Sequence, residues 1–312
     1  MNGTRKALQR LAPVVISVVA LALVAWYYDM HKVAEALSWK AALLMLPALL
    51  GYGALTLLLE ALSIQRAIDA PSARLGAWTA ARIKCASYLL AIVNYTVGVA
   101  ALTVLLRRRA GIGLGEAAGV VLLISMTDLL VVLGLGAGAA ATLQTSGPTM
   151  QAAVVALAAV GFFGGLVLLR VPASLGPLER FRSLSVFDAL RNRPARQLVE
   201  LLLLRMVFTF CFVGIGAATF LAFDVPVPPP AMLVLGMMIL AIVGAIPWAV
   251  AGLGVGQAAV VVVFKGLAPD ETLIALHLVL TAGLIALRAG MGGLFAREFT
   301  REALEQTRGE AP

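Results

Sequence analysis

The sequence predicts an all-α polytopic membrane protein with six transmembrane helices and two opposed re-entrant hairpins, arranged as an inverted-topology repeat. The first observation is composition: 61% of the 312 residues are hydrophobic and 13% are charged, against about 45–50% and 25% in globular domains. A soluble fold cannot hide that much apolar surface, so lipid must surround most of the chain. The second and third observations are the long uncharged runs and the placement of lysine and arginine around them.

The spans are predicted from apolar runs with at most one charged residue that are long enough to cross a hydrocarbon core of about 30 Å at about 1.5 Å per residue. One run contains a turn-like segment at 144–151, so it predicts two spans. The first run follows three basic residues but ends in aromatic residues without a small-residue cleavage site, which favours a retained anchor over a signal peptide. The runs lie at 11–28, 41–59, 117–169, 201–223 and 272–296.

Two further apolar segments, 85–106 and 232–264, are predicted to enter and leave the membrane on the same side. If both crossed the membrane, the loop lysines and arginines would divide almost equally between its two sides. If both are re-entrant, 20 of these cations are cytoplasmic and only Lys32, Lys40 and Lys265 are external. Because cytoplasmic loops carry an excess of Lys and Arg, this arrangement is favoured, with both termini on the cytoplasmic side of a plasma (inner) membrane.

Helix-breaking residues stand inside both segments and support this interpretation. Non-helical backbone at membrane depth is tolerated only where protein or a water-filled cavity surrounds it. The residues leave open the alternative that both segments are kinked helices packed on their neighbours. The breakers are Asn94 and Gly98 in the first segment, and Pro247, Gly252, Gly254 and Gly256 in the second.

The order of predicted elements is the same in residues 1–146 and 147–312. Each part has two spans, a re-entrant hairpin and a third span, and the two parts enter the membrane from opposite sides. The first repeat contains the cytoplasmic hairpin 85–106 and the second contains the external hairpin 232–264. In inverted repeats, substrates bind near the midplane where the broken elements meet, so we expect a substrate site between the two hairpins.

Three charged residues inside the predicted spans are candidate substrate-binding residues: Asp128, Arg205 and Arg288. Asp128 lies near the centre of its span, where a charge costs at least about 2.5–3.5 kcal/mol, so it should face the protein interior and have a partner. Either arginine is a plausible partner. We expect the Arg205 side chain to extend to the interface and Arg288 to line a cavity. A purely structural ion pair is the alternative for Asp128.

The remaining polar residues near span ends are given ordinary roles. Glu60 and Glu200 stand beside Arg66 and Arg196 and are expected at the membrane interface. His31 and His277 are separate in the chain, and we expect both near the outer surface with no special role.

The alternate glycines of the second segment would expose backbone N–H groups at the start of a short helix, and a helix N-terminus favours a phosphate group. The alternative is that these small residues only allow close helix packing. The candidate substrate-binding residues of the two segments are Asn94, Gly98, Pro247, Gly252, Gly254, Gly256 and Gln257. Cytoplasmic arginines are expected to attract anionic head groups, namely Arg82, Arg107, Arg108 and Arg109.

The motifs of both segments resemble those of one family. Pro247 and the run Gly252-Leu-Gly-Val-Gly-Gln-Ala-Ala resemble the Pro…Gly-Leu-Gly-Val-x-Glu-Ala-Ala segment of the lysylphosphatidylglycerol synthase transmembrane family of flippase-like integral membrane proteins. Asn94, Gly98 and the arginines that follow are similar to that family's Asn…Gly…Arg…Gly stretch. Asp128 falls where many members carry an Arg-x-x-Asp motif. This sequence departs from the pattern in having Gln257 in place of the usual glutamate, and Ser125 and Met126 where an arginine often stands.

The resemblance implies movement of a phosphate-bearing lipid or a polyprenyl-linked lipid between leaflets. Larger members, resembling the multiple peptide resistance factor, also carry an aminoacyl-transferase domain, which we expect this chain to lack because only 16 residues follow Ala296. The expected partners are anionic or phosphate-bearing membrane lipids. Nucleic acid is not expected, because the net charge of +8 is explained by orientation in the membrane. Whether the chain forms a homo-oligomer or binds a partner protein stays open.

Two other classes of function are alternatives. A membrane scaffold or regulatory subunit could retain an inverted repeat without transporting anything. An intramembrane lipid-modifying enzyme is less favoured, because the sequence has no Asp-x-Asp, His-x-x-x-His or Gly-x-Ser-x-Gly motif. We therefore expect no catalytic residues, no cofactor and no bound metal.

Overall fold

The protein is helical throughout the part that its computed structural model describes, which comprises Trp26 and residues 28–37, 39–68, 75–93, 95–143, 184–187, 191, 193–245 and 254–309. In these residues there are nine α-helices, a short 3-10 turn at Ser185–Phe187, and no strand. The helices are α1 (Met30–Ala36), α2 (Trp39–Ala67), α3 (Ala77–Val93), α4 (Tyr95–Ala110), α5 (Leu114–Leu143), α6 (Ala195–Ala222), α7 (Pro230–Ala245), α8 (Val255–Val263) and α9 (Asp270–Gly309).

Local sequence explains where several helices begin and end. The Asp29 side chain accepts a hydrogen bond from the backbone N–H of His31 at 3.0 Å and so caps α1. Helix α4 has three arginines in its last turn, where cations complement the helix dipole, and Gly111 follows with a φ of 66°. Helix α9 follows a proline and has two acidic residues in its first turn.

Four of these helices are long and apolar enough to cross a membrane: α2, α5, α6 and the part of α9 up to residue 295. They contain 29, 30, 28 and 26 residues. Each exceeds the roughly 20 residues needed to span the hydrocarbon core. The chain is therefore a multi-pass membrane protein, and these helices coincide with the runs 41–59, 201–223, 272–296 and the first part of 117–169. The predicted spans 11–28 and 152–169 lie outside the described residues, apart from Trp26 and Tyr28.

Helices α3 and α4 fold back on each other with only residue 94 between them. A Cβ atom placed on Gly98 would overlap the Cβ atom of Ala91 and come within 2.7 Å of its Cα atom. In a continuous helix these two residues would be about 10 Å apart along the axis. The chain therefore reverses direction here. The helical pair extends over 77–110, beyond the predicted bounds of 85–106, so Arg82 and Lys84 lie inside a helix rather than in a loop.

Helices α7 and α8 form a second pair, joined by residues 246–253, which lie outside the described part of the chain. The two helices contact each other, and the ring of Phe264 lies against Gly236 so closely that a Cβ atom would overlap it. Phe220 packs edge-on against the same ring, with centroids 5.0 Å apart. Helix α8 has nine residues, which extend about 13 Å and are too short to cross a membrane.

Helices α2 and α6 lie side by side and run antiparallel. Three ion pairs mark this orientation along their length: Arg66 with Glu200 at 3.2 Å, Glu60 with Arg205 at 3.3 Å, and Lys40 with Asp224 at 3.7 Å. As the residue number rises on α2, the number of its partner falls on the segment formed by α6 and the turn after it. The two helices therefore cross the bilayer in opposite directions.

Each helical pair also packs on the last long helix of the other half of the chain. Helix α3 contacts α9, where Gly292 faces the Cys85 carbonyl and Trp78 meets Phe295 edge-on at 5.8 Å. Helix α7 contacts α5, where a Cβ atom on Gly136 would lie 3.3 Å from the Cβ atom of Met238. Close contacts at glycines let these helices approach one another.

The described apolar side chains form two separate cores. One contains Leu49 together with residues from α6, α7, α8 and the start of α9. The other contains Ala61 and residues from α3, α4 and α5. Helices α2 and α6 contribute to both cores, and Thr56 and Glu60 of α2 line the space between them. The polar layer between the two cores contains the candidate site.

Candidate functional site

A cavity of about 510 Å³ lies between the two cores. Its walls come from α2, α3, α4, α5, α6, α7 and α9, with Gly256 from the start of α8. Cavities of about 300–1,000 Å³ are typical of small-molecule sites. The polar and ionisable residues in its lining are Tyr52, Thr56, Glu60, Lys84, Ser87, Tyr88, Ser125, Asp128, Arg205, Thr209, His277, Thr281 and Arg288.

A chain of alternating charges crosses one side of the cavity. The Arg205 guanidinium donates to both oxygens of Asp128, from Nε to Oδ1 and from Nη2 to Oδ2 at 2.8 Å. Arg205 Nη1 lies 3.3 Å from Glu60 Oε2, and Glu60 Oε1 lies 3.1 Å from Lys84 Nζ. The order Lys84, Glu60, Arg205, Asp128 thus joins α3, α2, α6 and α5.

Three of these four charged side chains are largely buried, and the Asp128 side chain is 33% exposed. The side chains of Arg205 and Glu60 are 1% and 5% exposed, and that of Lys84 is 17% exposed. Arg205 follows the start of α6 by ten residues, or about 15 Å of helical rise, and Asp128 lies near the middle of α5. The Arg205 guanidinium also lies over the ring of Phe208, 4.0 Å from its centroid. Charges at this depth are tolerated because each one has an opposite charge beside it.

This geometry corrects two expectations. Arg205 does not extend to the interface: it is buried and is the partner of Asp128. Glu60 is not interfacial either, since it is buried between Arg205 and Lys84. Asp128 has the inward-facing partner that its position predicted.

Arg288 stands on the cavity wall, apart from the charge chain. Its guanidinium carbon lies 5.9 Å from the centroid of the Tyr88 ring. Among the described residues no carboxylate lies within ion-pair distance of it, and its side chain is exposed. Arg288 therefore lines the cavity, in agreement with its expected position, and has no charged partner among the described residues.

The start of α8 reaches the opposite side of the cavity. Gly254 has a φ of 86°, and its N–H donates to Gln257 Oε1 at 2.5 Å. Gly256 lines the cavity, where a Cβ atom would lie 2.5 Å from Cε1 of His277. His277 is buried and lines the cavity. Gln257 is fully buried and holds the turn before α8 rather than forming part of the described lining.

A model of the family described as "Lysylphosphatidylglycerol synthase TM region" matches residues 10–286. The chain belongs to this family. The match covers all the described helices from α1 to α8 and most of the membrane-spanning part of α9. It therefore covers all four residues of the charge chain. The comparison with curated proteins and the comparison with solved structures gave no significant match. Family membership supports a membrane-embedded, lipid-related role.

Not all of the expected site residues of this family member meet at the cavity. Gly98, Asp128, Arg205, Gly256 and Arg288 line it. Asn94, Pro247 and Gly252 lie outside the described residues. The four arginines expected to attract head groups are absent from the described lining: Arg82 lies within α3, and Arg107, Arg108 and Arg109 lie in the last turn of α4.

Sequence reasoning missed Lys84 and the two tyrosines, Tyr52 and Tyr88. Lys84 was counted as a loop cation because the apolar run begins one residue later. The start of α3 at Ala77, directly after Gly76, places Lys84 two turns into the helix. Gly76 could have indicated this position in the sequence, because a helix that begins directly after this glycine places Lys84 within the same helix as the apolar residues that follow it. No cluster of three or more His, Cys, Asp or Glu side chains suited to a metal ion occurs in the part of the chain that the structure describes.

We expect Gln257→Leu to destabilise the protein by about 1–3 kcal/mol, because the buried Gly254 N–H would lose its acceptor. Thermal unfolding in detergent measures this change. Val262 on the same helix is 75% exposed, and Val262→Ala should change stability by no more than about 0.5 kcal/mol. Equal midpoints for the two variants would show that the cap contributes nothing.

Proposed function

We propose that this protein moves a phosphate-bearing lipid between the two leaflets, with the lipid head group passing through the cavity while the acyl chains stay in the bilayer. The observation that carries the proposal is the polar cavity itself, which is lined by five ionisable groups of Lys, Arg, Asp and Glu and lies between membrane-spanning helices. Polar groups at this depth are costly, and in membrane proteins they mark substrate or ion pathways.

The arrangement of helices supports an inverted-topology repeat of six spans and two opposed re-entrant hairpins, with repeats at 1–146 and 147–312. Helices α2 and α6, which occupy equivalent places in the two repeats, run antiparallel. Each helical pair packs on the last long helix of the other repeat. The packing of each helical pair on the other repeat fits alternating access, in which the two repeats rock about a central site. The proposed orientation puts both termini in the cytoplasm and the protein in the plasma membrane.

Transport of a fluorescent short-chain phospholipid in liposomes tests the proposal, with loss of fluorescence to an external quencher reporting movement. Ala241 lines the cavity on α7, whereas Ala286 is exposed on α9 and absent from the described lining. We expect Ala241→Trp to abolish movement, because an indole would fill the space that the head group needs. Ala286→Trp should leave movement unchanged.

Equal rates for the two tryptophan variants, or no movement by the wild-type protein, would reject transport. Constant co-purification with one partner protein would then favour the scaffold class. A covalently altered lipid in the same liposomes would favour an intramembrane enzyme.

A further inference from the structure

The proposed function leaves the driving force of lipid movement open, and the charge chain indicates one. Resting on that function, we infer that the protein couples lipid movement to a proton gradient: Asp128 takes up a proton from one side of the membrane, and this proton crosses together with the phosphate-bearing lipid.

The two carboxylates of the charge chain are placed differently. Glu60 is 5% exposed and lies between two cations, with Arg205 at 3.3 Å and Lys84 at 3.1 Å. Asp128 stands at the end of the chain, is 33% exposed, and has Arg205 as its one cation among the described residues. Both carboxylates line the cavity. Asp128 is therefore the one that is more accessible from the cavity and is held in the ionised form by fewer cations.

The charged neighbours of Asp128 come from three helices. Arg205 of α6 bonds to it, and Glu60 of α2 and Lys84 of α3 follow along the charge chain. Helix α7 and the turn Ser185–Phe187 also pack on α5 and contain no ionisable side chain. The remaining ionisable groups of the described lining make no hydrogen bond or ion pair with Asp128: Tyr52, Tyr88, His277 and Arg288.

The other charges on α5 and α4 lie far from Asp128. Glu116 is the only other carboxylate of α5, and it is twelve residues away, or about 18 Å of helical rise. The three arginines of α4 stand in its last turn, directly before α5 begins at Leu114. Within the described part of the chain, the protonation of Asp128 is therefore governed by the charge chain and by what the cavity holds.

A proton changes the charge chain at one end only. While Asp128 is ionised, the two cations and two carboxylates of the chain balance. When a proton adds to Oδ2 of Asp128, the carboxyl becomes neutral and Arg205 Nη2 loses the acceptor that lies at 2.8 Å. Arg205 stays charged beside Glu60. The chain then carries one positive charge, and neither of its carboxylates is left ionised without a cation.

This change of charge links the proton to the lipid. A phosphate group in the cavity is attracted more strongly when the chain beside it carries a positive charge, because Coulomb interactions are strong away from bulk water. By thermodynamic linkage, a bound phosphate favours the protonated form of Asp128 by the same factor. Release of the phosphate on the other side then favours loss of the proton from Oδ2, and the carboxylate pairs with Arg205 again.

The distribution of lipid under a pH gradient tests this inference. The full chain is placed in liposomes with the fluorescent short-chain phospholipid, and valinomycin with equal potassium holds the membrane potential at zero. If one proton crosses with each lipid, an exterior more acidic by about one pH unit should enrich the lipid in the inner leaflet about tenfold at steady state. Reversing the gradient should reverse the enrichment. Protein-free liposomes give the background.

Variants of Asp128 identify the proton site. Asp128→Asn should leave the lipid without enrichment above background, whereas Asp128→Glu keeps a carboxyl group and should retain part of the enrichment. Glu200→Gln is the control and should keep the tenfold effect, because Glu200 pairs with Arg66 and Arg196 and is absent from the described lining. Infrared spectra give a readout that needs no movement: on acidification, wild type and Glu200→Gln should gain a protonated-carboxyl band that Asp128→Asn lacks.

The outcomes separate the inference from the proposed function. Wild-type movement that ends in an even distribution under both gradients would overturn the inference and leave the proposed function intact. Enrichment that Asp128→Asn retains in full would also overturn it. Infrared titration of Asp128 without any movement of lipid would reject the proposed function, and the coupling with it, while the proton site itself would stand.

Discussion

Replacing Arg205 with leucine is expected to destabilise the protein by about 3–5 kcal/mol, the cost of leaving buried charges without their partner. Arg205 is 1% exposed and is the only described cation within ion-pair distance of Asp128. Without it, Asp128 loses both of its hydrogen bonds, and Glu60 keeps only Lys84. Thermal unfolding in detergent should show a correspondingly lower midpoint and, where folding fails, less monodisperse protein.

A double variant separates charge balance from the loss of a large side chain. In Arg205→Met with Asp128→Leu, the remaining pair of Lys84 and Glu60 is neutral, so a large part of the lost stability should return. Arg196→Leu removes an exposed pair on the same helix and should cost no more than about 1 kcal/mol. If Arg205→Leu were as mild as Arg196→Leu, or if the double variant were worse than the single one, the charge chain would not be the stabilising feature described above.

The second large effect is expected at Gly98, where valine should cost about 1–3 kcal/mol by overpacking. Its added carbons would enter the space of Ala91 and force α3 and α4 apart. Since α3 carries Lys84 and Tyr88 and α4 lines the cavity, lipid movement should be lost as well. Thermal unfolding and the liposome assay measure the two consequences.

Two comparisons make this result specific. Gly134 is an exposed glycine on α5 with open space around its Cα atom, so Gly134→Val should leave transport unchanged. Ala91→Gly should restore part of the stability that Gly98→Ala removes, because it deletes the Cβ atom that the new methyl group meets. A Gly98→Val protein as stable and active as wild type would show that α3 and α4 do not pack as described.

The main features of the fold could be predicted because a helix that crosses lipid needs about 20 predominantly apolar residues, which are visible in the sequence. Apolar runs of sufficient length with at most one charged residue predicted α2, α5, α6 and the apolar part of α9, and internal breakers predicted two interrupted segments. Helix ends were less accessible. The stretch 77–84 contains Arg82 and Lys84, and a rule that requires uncharged sequence excludes it even though it is helical. Charged side chains are allowed in such a helix when tertiary partners surround them, and one sequence does not reveal those partners.

The site was predictable only in part for the same reason. Asp128 was identified by its depth alone, and the need for a partner followed from the cost of a lone charge. The choice between Arg205 and Arg288 depended on which helices are neighbours. Arg205 and Arg288 are each nine residues from the next cytoplasmic arginine, Arg196 and Arg297, so helical rise puts both at a similar depth. Only the packing of α6 against α2 and α5 decides between them. Glu60 was misplaced because its position near a span end ignored the extension of α2 to Ala67.

The separation of the apolar side chains into two cores has a mechanical consequence. Interdigitated side chains resist small displacements, because any gap forfeits dispersion contacts. The layer that contains Glu60, Arg205 and Asp128 is joined instead by hydrogen bonds and ion pairs, which water can replace one at a time. Widening this layer would hydrate polar groups without exposing either core. The molecule thus has a compliant plane between two stiff bodies, and α2 and α6 are the described helices with buried apolar side chains in both.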